Sequence, residues 1–275
     1  MDTKNTQEFL NVPKGVVLKE PVHLGFNNRI IMEEDSEATV VESSFGNIQT
    51  NVKIGQNARL TWVKVLDGSA TTPCVSSFVS EQSASSILQS QVFDLGVGVS
   101  QNEMRATLQG EGAACSLEGL YILGEQQSSS HQTCIDHVVP HARSEEFYKG
   151  ILFDRAEGNF QGKIIVRPQA QKTVARQTNK NLLLSKDAII HTKPLLEIFA
   201  NDVKCNHGAT IGQLDEQALF YLRTRGISNL AAKHMLTSAY ASDMVGRVQN
   251  ESLRNWIQNL VAIRLGKIHF SKDVV

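Results

Sequence analysis

Cysteine is scarce in this chain of 275 residues: only Cys74, Cys115, Cys134 and Cys205, with no two spaced as C-x-x-C. That spacing excludes a zinc ribbon and a thioredoxin-type motif, and so thin a set favours free thiols over a disulfide framework. An excess of either charge is also lacking. Lys+Arg 27 against Asp+Glu 28 leaves a formal net charge of -1, which argues against a nucleic-acid partner held by bulk electrostatics. No apolar run reaches the length of a membrane-spanning helix, so no membrane partner is expected. The opening M-D-T-K-N-T-Q-E-F-L lacks the apolar stretch of a secretion signal, and the cytoplasm is the expected location. A phosphate-binding G-x-x-x-x-G-K-[ST] and a nucleophile elbow G-x-S-x-G are both missing, and Gly96-Val97-Gly98 has no third glycine or following helix. Nucleotide hydrolysis by a P-loop, acyl transfer by an elbow serine and dinucleotide binding all drop out; no enzymatic activity is expected.

What is present is alternation. A-T-V-V-E at 38–42, R-L-T-W-V-K-V at 59–65, S-I-L-Q-S-Q-V-F at 86–93 and S-L-E-G-L-Y-I-L at 116–123 each alternate apolar and polar residues. Y-K-G-I-L-F at 148–153, G-K-I-I-V-R at 162–167 and A-I-I-H-T at 188–192 do the same. Runs of this length predict strands with one buried face. A weak repeat sets a polar turn before Ala38, Ala58, Ala84 and Ala113, each followed by apolar alternation. Periods of a few tens of residues suit the stacked coils of a solenoid, although a β-sandwich has the same strand spacing. The lack of helical pattern between strands argues against a doubly wound α/β fold.

After Gly212 the period changes from two to nearly four. Leu214, Ala218, Leu219 and Leu222 share a face, and Gly226 is placed to end that helix. Ser228 can cap a second helix carrying Leu236, Tyr240 and Met244, and Asn250 a third carrying Leu253, Trp256, Ile257 and Leu260. Arg223 and Arg225 suit the negative pole of the first helix without needing a phosphate. The expected division is an N-terminal tail over 1–15, a strand domain over 16–212 and a helical domain over 213–275.

Two clusters could carry chemistry. His131, Cys134, Asp136, His137 and His141 crowd one short stretch, and their donor types suit zinc or iron. On a strand, however, Cys134 points away from His131 and His137, and Pro140 breaks regular geometry, so side-chain ladders and surface histidines are the expected reading. At the join of the two periods stands Lys204-Cys205-Asn206-His207-Gly208. A strand puts Val203, Cys205 and His207 on one face with Cα steps of roughly 6.5–7 Å for each two residues. Thiol and imidazole could then share a metal or sit independently, as a small buried Cys and a hydrogen-bonded His.

The stretch S-K-D-A-I-I-H-T-K-P-L-L-E-I-F-A-N-D-V-K-C-N-H-G-A-T-I-G, with D-E-Q-A-L-F-Y-L-R-T-R-G-I after it, resembles the core signature of the SufB/SufD family of iron–sulfur cluster assembly proteins. D-H-V-V-P-H-A-R-S-E-E-F-Y-K-G extends the likeness more loosely, and Gly208 with Thr210-Ile211-Gly212 is similar to SufD rather than SufB. The resemblance implies a mainly β fold, a right-handed parallel β-helix followed by a small C-terminal helical domain. It implies a scaffold that pairs with a SufB-like subunit, or with itself, across the end of the β-helix, and that binds the SufC ATPase through its helices. Cys205 and His207 match the family's K-C-x-H motif, with His207 as an iron or cluster ligand. The cargo would be a transient iron–sulfur cluster or iron shared with a partner, with nothing permanently bound. Asp243, Arg223 and Arg225 fall on the implied SufC-docking surface between Ile211 and Leu260. The chain is shorter than is usual for the family, and an N-terminal helical region is expected to be missing or reduced. Two other readings stand beside this one: a β-helix enzyme acting on polysaccharide, and an interaction module without metal chemistry.

Overall fold

The structure, a computed structural model, describes residues 8–25, 27–43, 46–67 and 73–270. Strands alternate between two sheets as the chain advances. One sheet holds β1 (Glu8–Val12), β3 (Asn28–Met32), β5 (Asn47–Ile54), β7 (Cys74–Gln82), β9 (Val99–Leu108), β11 (Ser128–His137), β13 (Glu157–Val166) and β15 (Ile189–Ile198), in that spatial order. The other holds β2 (Val22–Leu24), β4 (Glu37–Glu42), β6 (Arg59–Leu66), β8 (Ile87–Asp94), β10 (Ala114–Leu123), β12 (Arg143–Leu152), β14 (Val174–Leu183) and β16 (Lys204–Gly212). Every described pairing within a sheet is parallel. Successive strands in different sheets, each paired with its neighbours one coil away, make a flattened solenoid; a sandwich of hairpins would pair antiparallel. The strand β1 lies inside the stretch expected as a tail, while residues 1–7 lie outside those described.

The repeat that marked the coils has its physical cause at the corner between the two sheets. Asp35, Asn57, Ser85, His141 and Lys172 all adopt positive φ, between 55° and 61°, and Gly112 does so at 73°. One left-handed residue turns the chain through the corner. Its N–H then donates to the next coil, as from Asn57 to the Ala84 carbonyl at 3.0 Å or from His141 to that of Gln171 at 2.9 Å. The residue that follows is small and fully buried: Ser36, Ala58, Ser86, Ala113, Ala142 and Thr173. The expected alanine repeat therefore mixes positions. Ala58 and Ala113 are corner residues, whereas Ala38 is the rung partner of Leu60 and Ala84 sits in the turn.

Inward side chains form ladders between the sheets, built from Ile30, Val52, Leu60, Trp62, Leu88, Leu117, Phe160 and their neighbours. Tyr121 and Tyr148 fit this layer because each faces a glycine one coil away, Gly150 and Gly119 respectively. A Cβ at Gly119 would stand 2.2 Å from the Tyr148 ring, and one at Gly150 only 2.1 Å from Tyr121.

Beyond β16 come three helices: α1 (Glu216–Thr224), α2 (Asn229–Val245) and α3 (Glu251–Leu265). Ser228 and Asn250 cap α2 and α3 with their side-chain oxygens, and Gly226, at φ 84°, lets the chain leave α1. The expected faces hold for α1, around buried Leu219, and for Met244, Leu253 and Ile257, whereas Leu236, Tyr240, Trp256 and Leu260 are not fully buried. The buried residues of α2 are Ala232, Thr237, Ala241, Met244 and Val245, and those of α3 are Leu253, Ile257, Val261, Arg264 and Leu265. The partner surface is the broad outer face of the second sheet, where Val41, Val63, Val65, Phe93, Leu120, Ile122 and Ile151 meet the helices. Alanines on α2 allow that close approach, so Leu236 and Tyr240 are left only half-buried. No helix among the described residues is long and apolar enough to cross a membrane.

Candidate functional site

The solenoid ends in an uncovered coil. β15 and β16 are the last strands of their sheets, and each is paired on one side only. An edge of this kind presents a row of free backbone donors and acceptors. Along β16 the alternation of burial seen in the earlier strands vanishes, and all its residues except Cys205 are exposed. Apolar side chains crowd this end without cover: Ile198, Phe199 and Ile211, the last 51% exposed.

Cys205 and His207 sit on the inward face of β16, as the period-two reading requires. Cys205 closes a rung ladder running through Ala175, Ser144 and Cys115, and His207 one running through Gln177, Glu146 and Leu117. Val203, just before the strand, packs with Cys205 against the interior. Burial pushes the Cys205 thiol above its ordinary value, partly offset by a hydrogen bond with the Ala175 backbone. It therefore rests as a thiol at neutral pH and releases a proton on taking a metal. His207 is exposed.

Directly below His207 lies a polar group that the sequence did not single out. Glu146 is fully buried; its carboxylate accepts from Gln177 Nε2 at 2.6 Å and from Thr133 Oγ1. Desolvation raises it to about 7 against those two hydrogen bonds. Farther inside, Asp94 accepts from Ser129 at 2.7 Å and from Ser100, while His131 stands 3.0 Å from Ser129 and stacks on Tyr121 at 5.0 Å.

The cluster between 131 and 141 separates on folding. His131, Thr133 and His137 point inward, and His137 Nε2 lies 2.8 Å from Ser144 Oγ. Cys134 and Asp136 point outward, where Asp136 pairs with Arg167 at 2.8 and 3.0 Å. His141 turns the corner. Among the described residues no group of three or more His, Cys, Asp and Glu side chains is arranged to hold a metal ion.

On the helical side, Arg223 and Arg225 are exposed, Arg225 lying 5.3 Å from the Tyr221 ring centre. Phe220 and Tyr221 are 67% and 58% exposed on the same short helix. Asp243 instead ties its helix to the solenoid through Lys149, whose Nζ donates to it at 3.1 Å and to the Tyr240 carbonyl at 2.7 Å. Arg247 with Glu118, at 2.8 Å, and Arg264 with the Ile122 carbonyl, at 3.1 Å, pin the helices at two further points.

Comparison with known proteins gives a consistent picture. Residues 23–240 match the family described as SUF system FeS cluster assembly, SufBD core domain. An iron-sulfur cluster assembly SufBD family protein of Synechocystis sp. is 31% identical over 92% of the chain and 62% of its own length. The iron-sulfur cluster assembly protein SufD of Escherichia coli is 29% identical over 94% of the chain and 63% of its own. A chloroplastic protein of Arabidopsis thaliana is 27% identical over 91% and 58%. The chain thus spans about three-fifths of the length of these relatives.

Proposed function

Since this chain belongs to the SufBD core family of the SUF iron–sulfur cluster assembly system, we propose that it is a scaffold subunit, not an enzyme, on which iron or a nascent cluster is held as cargo between two chains. One observation carries the reading: Cys205 and His207 share the inward face of a terminal strand that is unpaired on its outer side. A SufB-like chain that continues the solenoid across this end would pair its own backbone with β15 and β16 and cover Ile198, Phe199 and Ile211. The thiol and imidazole would then lie in the seam, shielded from water.

Two donors from one chain occupy at most two positions on iron, so the partner supplies the rest. A site closed by two subunits opens when they part, which suits a cargo that has to be passed on. The thiolate and imidazole supply the covalent hold; the rest of the chain orients them and excludes solvent. The exposed Phe220 and Tyr221, flanked by Arg223 and Arg225, suit docking of a SufC-type ATPase subunit. Motion imposed there reaches the solenoid through the contact of Asp243 with Lys149. The cytoplasm is the compartment proposed for this assembly.

The test is reconstitution. Mixed with SufB-like and SufC-like partners, the chain should elute with them in size-exclusion chromatography. Anaerobic addition of iron and sulfide should then give the visible absorption of a cluster in the complex. His207→Ala and Cys205→Ala should weaken that absorption without dissolving the complex. Failure of the three chains to associate would sink the reading.

A further inference from the structure

Gln177 is completely buried, and one end of its amide is held. Its Nε2 donates to Glu146 at 2.6 Å, and Glu146 is itself fixed by Thr133. The pair packs against Gly162, where any side chain would crowd it. A Cβ there would lie 2.2 Å from Gln177 Nε2 and 2.9 and 3.0 Å from the Glu146 carboxylate oxygens. With the nitrogen committed to the carboxylate, the other end of the amide is determined: Oε1 is a buried acceptor that accepts nothing. A buried carbonyl without a donor is unfavourable by about 1–3 kcal/mol, so it favours any donor brought within reach. The residue on the next rung is His207, and adjacent strands stand only about 4.8 Å apart.

We propose that Gln177 is a positioning residue for His207, its Oε1 accepting one imidazole N–H so that the other ring nitrogen presents its lone pair to the cargo in the seam. Glu146 and Thr133 set the amide's orientation, and Gly162 leaves room for it. The order of polarity is what makes this specific. A carboxylate at the bottom takes the amide N–H, the amide carbonyl takes the imidazole N–H, and the imidazole is left with an acceptor facing outward. Metal-bound histidines gain basicity and a fixed ring plane from such an outer partner, and losing it lowers metal affinity by about 10- to 100-fold. The cargo half of the inference rests on the function proposed above; the hydrogen bond does not.

The experiment separates the two. The chain labelled with 15N-histidine is observed by NMR at about pH 8, alone and in the metal-free complex with its partners, where free imidazole is neutral. His207→Ala identifies the His207 signals among the eight histidines. In the wild-type complex His207 should populate one neutral tautomer almost alone, and in Gln177→Met, which keeps the side-chain length without the acceptor, both. Gln177→Leu gives a second variant if the thioether disturbs folding, and thermal melts of all variants report that directly. Ferrous iron binding to the complex should weaken about 10-fold in Gln177→Met, the lower end of the range for loss of an outer partner. Equal tautomer populations in wild type and Gln177→Met would overturn the hydrogen bond. Unchanged iron affinity in His207→Ala would remove the cargo reading instead, and the tautomer result would still decide the role of Gln177.

Discussion

Inside the solenoid, side chains titrate against burial, and the two signs of shift pull stability in opposite directions. Burial holds His137 down to about 4 from an ordinary 6.5, with Asp136 opposing weakly. His131 is lowered for the same reason, offset in part by Asp94. A depressed imidazole supports the fold fully above its unfolded pKa and loses that support as pH falls toward the folded one. Between 6.5 and about 4 the unfolded chain binds the extra proton, so stability drops by about 1.4 kcal/mol per pH unit for each such group. His137→Gln, which keeps an acceptor or donor for Ser144, should shorten this acid limb by about one proton in urea unfolding followed across pH. Glu146 acts in reverse. Its carboxyl is raised from 4.5 to about 7, so its contribution is whole below pH 4.5 and declines as pH rises through 7. Glu146→Gln should therefore gain stability relative to wild type between pH 5 and 8, and a parallel pair of curves would refute the shift.

At the scale of elements, corners and clasps carry the fold. His141 holds a left-handed conformation at φ 60°, which disfavours a side chain by about 1–2 kcal/mol. His141→Gly should leave the melting temperature unchanged or raise it, whereas His141→Val should lower stability by about 1–2 kcal/mol, since β-branching is least tolerated there. A metal ligand would behave differently, with both changes equally harmful only in the presence of metal. Arg264 is a buried clasp: it donates to the Ile122 carbonyl and Gln127, and lies over Phe153 at 5.3 Å. Arg264→Ala should weaken helix docking by about 2–3 kcal/mol, seen as faster amide exchange in α3 while the middle strands keep their protection. Much of this level was legible in the sequence. Caps at Ser228 and Asn250, the stop at Gly226 and the strand runs are local signals. The faces of α1 and α3 were legible through Leu219, Leu253 and Ile257, but that of α2 was legible only at Met244, because its partner is a flat sheet that Ala241 approaches more closely than Leu236 and Tyr240. Glu146 and Gln177 were invisible for another reason. They stand one coil apart, and coil length varies with each corner and loop, so sequence distance does not reveal which residues share a rung.

For the whole molecule, the decisive asymmetry lies between the flank of the solenoid, covered by helices, and its last coil, left open. A charged residue facing inward on the terminal strand is the standard means of blocking edge pairing. Ala209 shares the inward face with Cys205 and His207. Ala209→Arg should abolish association with a partner chain in size-exclusion chromatography while leaving the unfolding free energy of the lone chain within about 0.5 kcal/mol of wild type, as expected for an exposed site. Co-elution of that variant with partners would place the contact elsewhere. That Cys205 and His207 share one face was legible from sequence because they stand two apart on one strand; the open end around them was not, since strand alternation is the same whether or not another coil follows.

The apolar cluster that the C-terminal helices close extends back to Val41 and Val63 in early coils. During synthesis, then, the early coils leave the ribosome with an oily flank that stays wet until α2 and α3 have been translated. A nascent chain of this kind invites chaperones to that flank, and premature termination before Asn229 would yield a stacked but sticky product prone to precipitate.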